Sequence, residues 1–108
     1  MKIAVSSSGG SLHAQMDERF GRCEYFIIVD SETMRFNAVF NPSANAAGGA
    51  GPSAAKKIAE YNAEVLITGN VGVNAQQALK AAGITVVTDA AGTVKEVVEN
   101  YLKTIEKP

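Results

Sequence analysis

The sequence predicts an α/β protein in which three helices flank a mixed five-stranded sheet. Three strand-like segments come first, with no helical pattern between them, and helices and strands then alternate. Strands that follow one another directly pair as antiparallel hairpins, whereas strands joined through a helix pair in parallel by right-handed crossovers. A chain of 108 residues is expected to form a single domain, residues 1–108, around one core.

The first three strands are short and rich in apolar, β-branched or aromatic residues, a composition typical of strands. They are predicted at residues 2–6, 25–29 and 34–40. A hairpin-like turn at 30–33 joins the second strand to the third, whose mixed pattern indicates an edge strand. Asn41 and Pro42 are expected to end this strand.

The second part of the chain alternates helices with two short buried strands, predicted at 64–68 and 84–88. A helix is expected at 52–62, and the next has apolar residues at helical spacing from Ala75 to Ala82, with Gly83 as its C-cap. In the last helix, Thr93-x-x-Glu96 has the form of a capping box. Its apolar stripe has the clearest helical period of the chain: Val94, Val97, Val98, Tyr101, Leu102 and Ile105.

A glycine-rich loop at residues 41–53 leads into the first helix. Pro52 is expected to be its first residue, because the missing proline N–H is one that a helix leaves unpaired. The N–H groups of the first turn, beginning at Ser53, would then point outward at the positive end of the helix dipole, which attracts anions. Three glycines would let a ligand approach the backbone: Gly48, Gly49 and Gly51.

The alternative is that these glycines only allow a tight turn. Their spacing matches neither a P-loop nor the Gly-x-Gly-x-x-Gly pattern of dinucleotide-binding proteins.

Ligands of open α/β sheets gather at the carboxyl ends of the parallel strands. If the first strand pairs with the strand that ends at Thr68, three loops meet at this rim, at 6–11, 69–72 and 89–92. Gly69 and Asn70 are therefore candidate binding residues. The sequence leaves open whether the helix start at Gly48 joins the same rim.

A second candidate segment, Arg19-Phe20-Gly21-Arg22-Cys23, carries two guanidinium groups, one aromatic ring and the single thiol of the chain. Arginine binds anions through several donors in a fixed geometry. A thiolate between such charges would be favoured, which suits a metal or a sulfide cluster. Alternatively, Phe20 and Cys23 pack in the core and the arginines pair with Glu18 or Glu24.

His13, the single histidine, lies in a predicted loop and is either a metal ligand or an exposed residue without function. One His and one Cys cannot complete a structural zinc site, so a metal would need ligands from outside the chain. No serine lies in a Gly-x-Ser-x-Gly elbow, and the predicted central strand has no carboxylate. These patterns do not favour an enzyme.

Composition restricts the expected partners. Hydrophobic residues make up 46% of the chain, and ten basic against eleven acidic residues give a net charge of -1. This balance argues against nucleic acid or a membrane surface as the main partner. With one cysteine and a start that enters a strand pattern directly, a reducing cytoplasm is the expected location. No apolar run approaches the length of a membrane span.

Segments along nearly the whole chain resemble the dinitrogenase iron-molybdenum cofactor biosynthesis family. They are Met1–Val5, Glu18–Arg22 followed by Tyr25-Phe26, the helix start Gly48–Pro52, Ile67–Gly72 with Asn74-Ala75, and the late helix start Gly92-Thr93-Val94. The order and spacing of these segments carry the resemblance, rather than any one motif.

The resemblance implies a ribonuclease H-like fold without nuclease activity. Members similar to NifX and to the C-terminal part of NifB bind or carry iron-sulfur or iron-molybdenum cofactor precursors. The orange protein of sulfate reducers holds a molybdenum-copper sulfide cluster non-covalently. By resemblance, this chain is expected to act as a carrier for such a cluster, as a monomer or homodimer, with donor and acceptor proteins of cofactor assembly as partners.

One departure affects the expected site. Where the family pattern often has a histidine, this sequence has Arg19, whose guanidinium stays protonated and cannot ligate a metal as imidazole does. The expectation is therefore that Arg19 and Arg22 neutralise an anionic cluster while Phe20 and Gly21 shape the pocket, with Cys23 as a possible ligand. The alternatives are a phosphate- or nucleotide-binding regulatory module and an interaction domain with no small ligand.

Overall fold

The computed structural model describes residues 1–105, which form five strands and three helices. The elements in chain order are β1 (Lys2–Ser7), β2 (Tyr25–Asp30), β3 (Phe36–Phe40), α1 (Ala50–Glu60), β4 (Val65–Ile67), α2 (Val73–Ala81), β5 (Thr85–Val87) and α3 (Val94–Ile105). The strand order in the sheet is β3-β2-β1-β4-β5. The pairs β1–β2 and β2–β3 are antiparallel, and β1–β4 and β4–β5 are parallel. The predicted mixed five-stranded sheet with three helices is confirmed.

Two hydrophobic cores lie on opposite faces of the sheet. Alternate residues of β1 divide between them, since Ala4 faces the core under α1 and α2, whereas Ile3 and Val5 face the core under α3. Side chains of a strand alternate between the two faces, so the central strand is covered on both sides. No helix among the described residues is long and apolar enough to cross a membrane.

The direction of β3 determines whether the helix start near Gly48 joins the carboxyl rim of the sheet, which the sequence left open. Because β3 is antiparallel to β2, and β2 is antiparallel to β1, β3 runs in the same direction as β1. The loop after β3 therefore leaves the sheet at the same rim as the loops after β1, β4 and β5. This rim collects the glycine-rich loop together with the Arg19–Arg22 segment, which precedes β2.

Helix α1 begins at Ala50, two residues earlier than predicted from Pro52. Gly49 at the N-cap adopts the left-handed conformation, with φ of 70°, which glycine tolerates. The prediction that Ser53 offers a free first-turn N–H is wrong, because this group donates to the carbonyl of Gly49 at 3.1 Å. The free donors of this turn belong to Ala50 and Gly51, since Pro52 has none.

The other helix ends agree closely with the sequence. The capping box of α3 forms as predicted, since the Thr93 N–H donates to Glu96 Oε1 at 2.9 Å and the Glu96 N–H donates to Thr93 Oγ1 at 3.2 Å. At the end of α2 the C-cap is Ala82 rather than Gly83. Gly83 is the next residue and has the left-handed φ of 75° that commonly follows a helix.

Candidate functional site

A cavity of about 430 Å³ opens at the carboxyl rim of the sheet. Three segments line it: Arg19–Arg22, the start of α1 at 49–52, and the turn from β4 into α2 at 70–75. The structure thus brings together the two segments that the sequence analysis selected separately. It adds the N-terminus of α2, whereas the sequence indicates only the loop at Gly69 and Asn70.

The segments that line the cavity pack closely against one another. A Cβ atom added to Gly21 would lie 2.9 Å from the backbone N of Gly51. A Cβ atom added to Gly51 would lie 2.8 Å from the Cβ of Ala75 in α2. Gly21, Gly51 and Ala75 therefore hold the three lining segments at a separation that larger side chains would not permit.

The two helices that start at the cavity have unsatisfied N-termini. The N-caps of α1 and α2 are Gly49 and Gly72, and neither provides a side-chain cap. Neither helix has an acidic residue in its first turn. The start of α3 lies outside the cavity lining and has the Thr93–Glu96 capping box. At the cavity, two positive helix ends and their free N–H groups are therefore directed to one region without internal compensation.

Arg19 lies at the cavity edge with a side chain that is 63% exposed. Its Nη2 is 3.0 Å from Asp17 Oδ2, and its Nε is 3.2 Å from Asp17 Oδ1. Burial acts to raise the pKa of Asp17, but the hydrogen bonds and charge of Arg19 lower it overall. Arg19 thus pairs with Asp17, and the alternative pairing of the arginines with Glu18 or Glu24 is not seen within residues 1–105.

Arg22 connects the cavity wall to the loop after β3. Its Nη1 donates to the carbonyls of Ala46 and Ala44, the latter at 3.4 Å. Both partners are neutral, and within residues 1–105 Arg22 forms no ion pair. Arg22 is therefore the better placed of the two arginines to compensate an anion.

Asn41 is a positioning residue whose role the sequence analysis missed. Its side chain is 1% exposed, and its Nδ2 donates to the carbonyls of Gly21 at 3.1 Å and Cys23 at 2.9 Å. Its Oδ1 accepts from the Ser43 N–H at 3.1 Å. One amide thus fixes the backbone on both sides of Arg22. The turn-forming Asn-Pro pair was a sequence signal only for the end of a strand.

Cys23 lies in the core rather than in the cavity. The residue is fully buried, and its Sγ donates to the Phe20 carbonyl at 3.3 Å. Burial raises the pKa of the thiol to about 12, so the expectation of a favoured thiolate is wrong. Phe20 is also 2% exposed and packs on Phe26, with ring centroids 5.4 Å apart. The interpretation of both residues as core agrees with the structure.

The remaining candidate residues divide by position. Asn70 lines the cavity, and its N–H donates to the Glu18 carbonyl at 2.9 Å. Gly69 is buried under Glu18, whose Cβ would lie 2.4 Å from a Cβ added to Gly69. Gly69 and three other candidates lie outside the cavity lining: His13, Gly48 and Ser53. Within residues 1–105, no group of three or more His, Cys, Asp or Glu side chains is arranged to hold a metal ion.

These features define a small α/β domain with a positively polarised cavity at the carboxyl rim of its sheet. Residues 1–104 match the family model described as dinitrogenase iron-molybdenum cofactor. The chain belongs to this family, and the resemblance inferred from the sequence is confirmed.

Three similar proteins support this assignment. The apo form of the orange protein from Desulfovibrio gigas has 43% sequence identity and a TM-score of 0.92, over 95% of this chain and 88% of that one. A putative NifB protein from Thermotoga has 38% identity and a TM-score of 0.82, over 94% of this chain and 87% of that one. An uncharacterized protein of Methanocaldococcus jannaschii is 29% identical over 106 residues, 95% of this chain and 86% of the relative.

Proposed function

We propose that this chain is a non-enzymatic carrier or scaffold for an anionic metal-sulfide cluster. The observation that carries the proposal is the convergence of two uncapped helix N-termini and two arginines on one cavity. No acidic residue is among those that line the cavity. Helix N-termini with free N–H groups bind anions, and arginine adds a permanent positive charge.

The lining also indicates how the cluster would be held. None of the lining residues has a thiol, imidazole or carboxylate, so none is a metal ligand of the usual kinds. Backbone N–H groups and guanidinium groups instead donate hydrogen bonds, which sulfide atoms at the cluster surface would accept. The proposed cargo is therefore a cluster whose own sulfides complete the coordination of its metals.

The family relationship supports a metal cluster as cargo over other anions. The family is named for the iron-molybdenum cofactor, and a relative with 43% identity has been solved in an apo form. The metal composition is left to experiment, with iron-sulfur, iron-molybdenum precursor and molybdenum-copper clusters as candidates. Donor and acceptor proteins of cofactor assembly are the proposed partners, and the ribonuclease H-like classification stays a prediction.

The proposal is tested by anaerobic titration of the protein with tetrathiomolybdate, with and without copper or iron, followed by visible absorption. We expect a saturable new band that stays with the protein on a desalting column. Arg22→Gln should weaken binding, because it removes a positive charge whose hydrogen-bond partners within residues 1–105 are neutral carbonyls. Arg35→Gln is the matched control, since Arg35 precedes β3 at the opposite end of the sheet from the rim.

The proposal would be contradicted if protein and reagent separate on the column and the spectrum of their mixture equals the sum of their separate spectra. The same donors also suit phosphate, so a regulatory phosphate or nucleotide site is the second candidate. Thermal stabilisation by ATP or inorganic phosphate, without stabilisation by thiometallates, would favour that candidate, because a ligand of the native state raises its stability. No response to either class of anion would favour an interaction domain.

A further inference from the structure

Strand β3 is an edge strand with an unusual apolar exposure. Four of its five residues are exposed, including Phe36 at 39% and Phe40 at 58%. Its sequence, Phe-Asn-Ala-Val-Phe, contains no charged residue and no proline, which are common protections of a free edge. The opposite edge strand, β5, has only three residues and is therefore a poor template for pairing.

Two hydrogen bonds at the ends of the β2–β3 ladder determine which backbone groups face outward. The Asp30 N–H donates to the Arg35 carbonyl at 2.8 Å, and the Asn41 N–H donates to the Glu24 carbonyl at 2.9 Å. Hydrogen-bonded pairs alternate along an antiparallel ladder, so residues 35, 37, 39 and 41 direct their N–H and C=O groups to β2. The corresponding groups of Phe36, Ala38 and Phe40 face the free edge.

We propose that the β3 edge pairs with the β3 edge of a second copy of this chain. A two-fold axis through Ala38 places Ala38 opposite its counterpart and each Phe36 opposite the Phe40 of the other copy. The outward groups of all three residues then meet in hydrogen-bonded pairs, so the edge is complementary to itself, as a two-fold interface requires. The two sheets join into one continuous sheet.

The side chains fit this arrangement on one face of the joined sheet. Phe36, Ala38 and Phe40 share the face of Ile27 and Val29, so two cross-strand phenylalanine pairs flank the small Ala38 at the axis. Tyr25 already packs edge-on against Phe40, with centroids 5.9 Å apart, and extends this aromatic cluster.

The charge pattern of β3 is compatible with a second copy as the occupant. No residue from Phe36 to Phe40 is charged, so the two-fold register brings no like charges opposite each other. At each end of the interface, Arg35 lies opposite the uncharged Asn41 of the other copy, so this position adds no repulsion.

The test is the molecular mass of the full chain measured by sedimentation over a range of concentrations. The wild type is expected to approach twice the mass of one chain, 11.3 kDa, as concentration rises. Ala38→Lys brings two positive charges together at the axis and should leave a monomer. Ala38→Pro removes an outward N–H without touching the bonds to β2, and should do the same. Thr85→Lys adds the same charge to β5, the other edge strand, and should leave the dimer intact.

Amide hydrogen exchange of the wild type provides a second measurement that does not depend on variant folding. The amides of Phe36, Ala38 and Phe40 should be protected at high concentration and should lose this protection on dilution, whereas that of Val39 should stay protected. A wild type that is monomeric at all concentrations would overturn the proposal and favour a strand from another protein as the occupant. A dimer that persists in both Ala38 variants, or that leaves the three amides unprotected, would place the interface elsewhere and also overturn it.

Discussion

Replacing Gly51 by alanine would introduce a methyl group 2.8 Å from the Cβ of Ala75, where α1 and α2 approach each other. Carbon atoms in contact normally lie about 3.5–4.0 Å apart, so the helix starts must separate by roughly 1 Å. Overpacking of this kind costs about 1–3 kcal/mol. Alanine has a helix propensity up to about 1 kcal/mol better than glycine, which offsets part of the cost. The expected net loss is about 1–2 kcal/mol in the free energy of unfolding.

The double variant Gly51→Ala/Ala75→Gly separates this steric effect from other consequences of the substitution. It moves the methyl group from one helix to the other and should recover most of the stability lost by the first change. We therefore expect a favourable coupling of about 1–2 kcal/mol between the two substitutions, as found for residues in contact. Urea unfolding followed by far-ultraviolet circular dichroism measures all four members of this cycle. Gly48→Ala is the matched control, because no atom of residues 1–105 lies within 4 Å of a Cβ at Gly48.

The reasoning would be refuted if the two substitutions were additive, since the contact between the helices would then not be the cause. A loss of stability in Gly48→Ala as large as that in Gly51→Ala would also refute it. If the proposed function is correct, thiometallate binding should follow the same cycle, because the separation of the two helix starts sets the width of the cavity.

Four further predictions concern groups elsewhere in the chain. Burial raises the pKa of the Cys23 thiol to about 12, so the unfolded chain loses the thiol proton at lower pH than the folded chain does. The free energy of unfolding should therefore fall as pH rises above 9.0, the ordinary pKa of the thiol, by up to about 1.4 kcal/mol per pH unit. A fall of the same steepness in Cys23→Ala would contradict this prediction. Thr93→Ala should lower the free energy of unfolding by about 1 kcal/mol through loss of the α3 cap. The hydrogen bonds from Thr93 lower the pKa of Glu96, so the ionised carboxylate stabilises the folded chain. The difference in Tm between the wild type and Glu96→Gln should therefore shrink as pH falls below 4.5, the ordinary pKa of the carboxyl group. A difference in Tm that does not change with pH would contradict this prediction. Asn41→Ala should cost about 2–3 kcal/mol in urea unfolding, because the buried carbonyls of Gly21 and Cys23 lose their donor; stability equal to that of the wild type would exclude this role.

Local signals explain which parts of the fold could be predicted from the sequence. The capping box of α3 and the apolar stripe behind it involve residues within a few positions of one another, so their structure follows from spacing alone. The order of elements likewise determined which strands pair in parallel. Pro52 predicts the start of α1 two residues late, because proline is compatible with several positions in a first turn.

The parts of the site that could not be predicted depend on a choice between neighbouring carboxylates and on contacts distant in the chain. Arg19 pairs with Asp17 rather than with Glu18, although the sequence offered both carboxylates nearby. Asn41 reaches back twenty residues to Gly21, and no local pattern indicates this contact. The burial of Cys23 follows from the packing of the sheet against α1 and α2, which is a property of the whole fold.

The close packing of Gly21, Gly51 and Ala75 affects how this cavity can be explored by mutagenesis. An alanine scan normally removes atoms and finds the side chains on which a function depends. Here the close packing of the lining segments depends on the absence of a Cβ atom at Gly21 and Gly51, and alanine at either position adds that atom. A scan that enlarges small residues would therefore outline the cavity, whereas one that truncates large residues would pass over most of it. In variation among natural relatives, the same constraint would favour conservation of small size over conservation of any functional group.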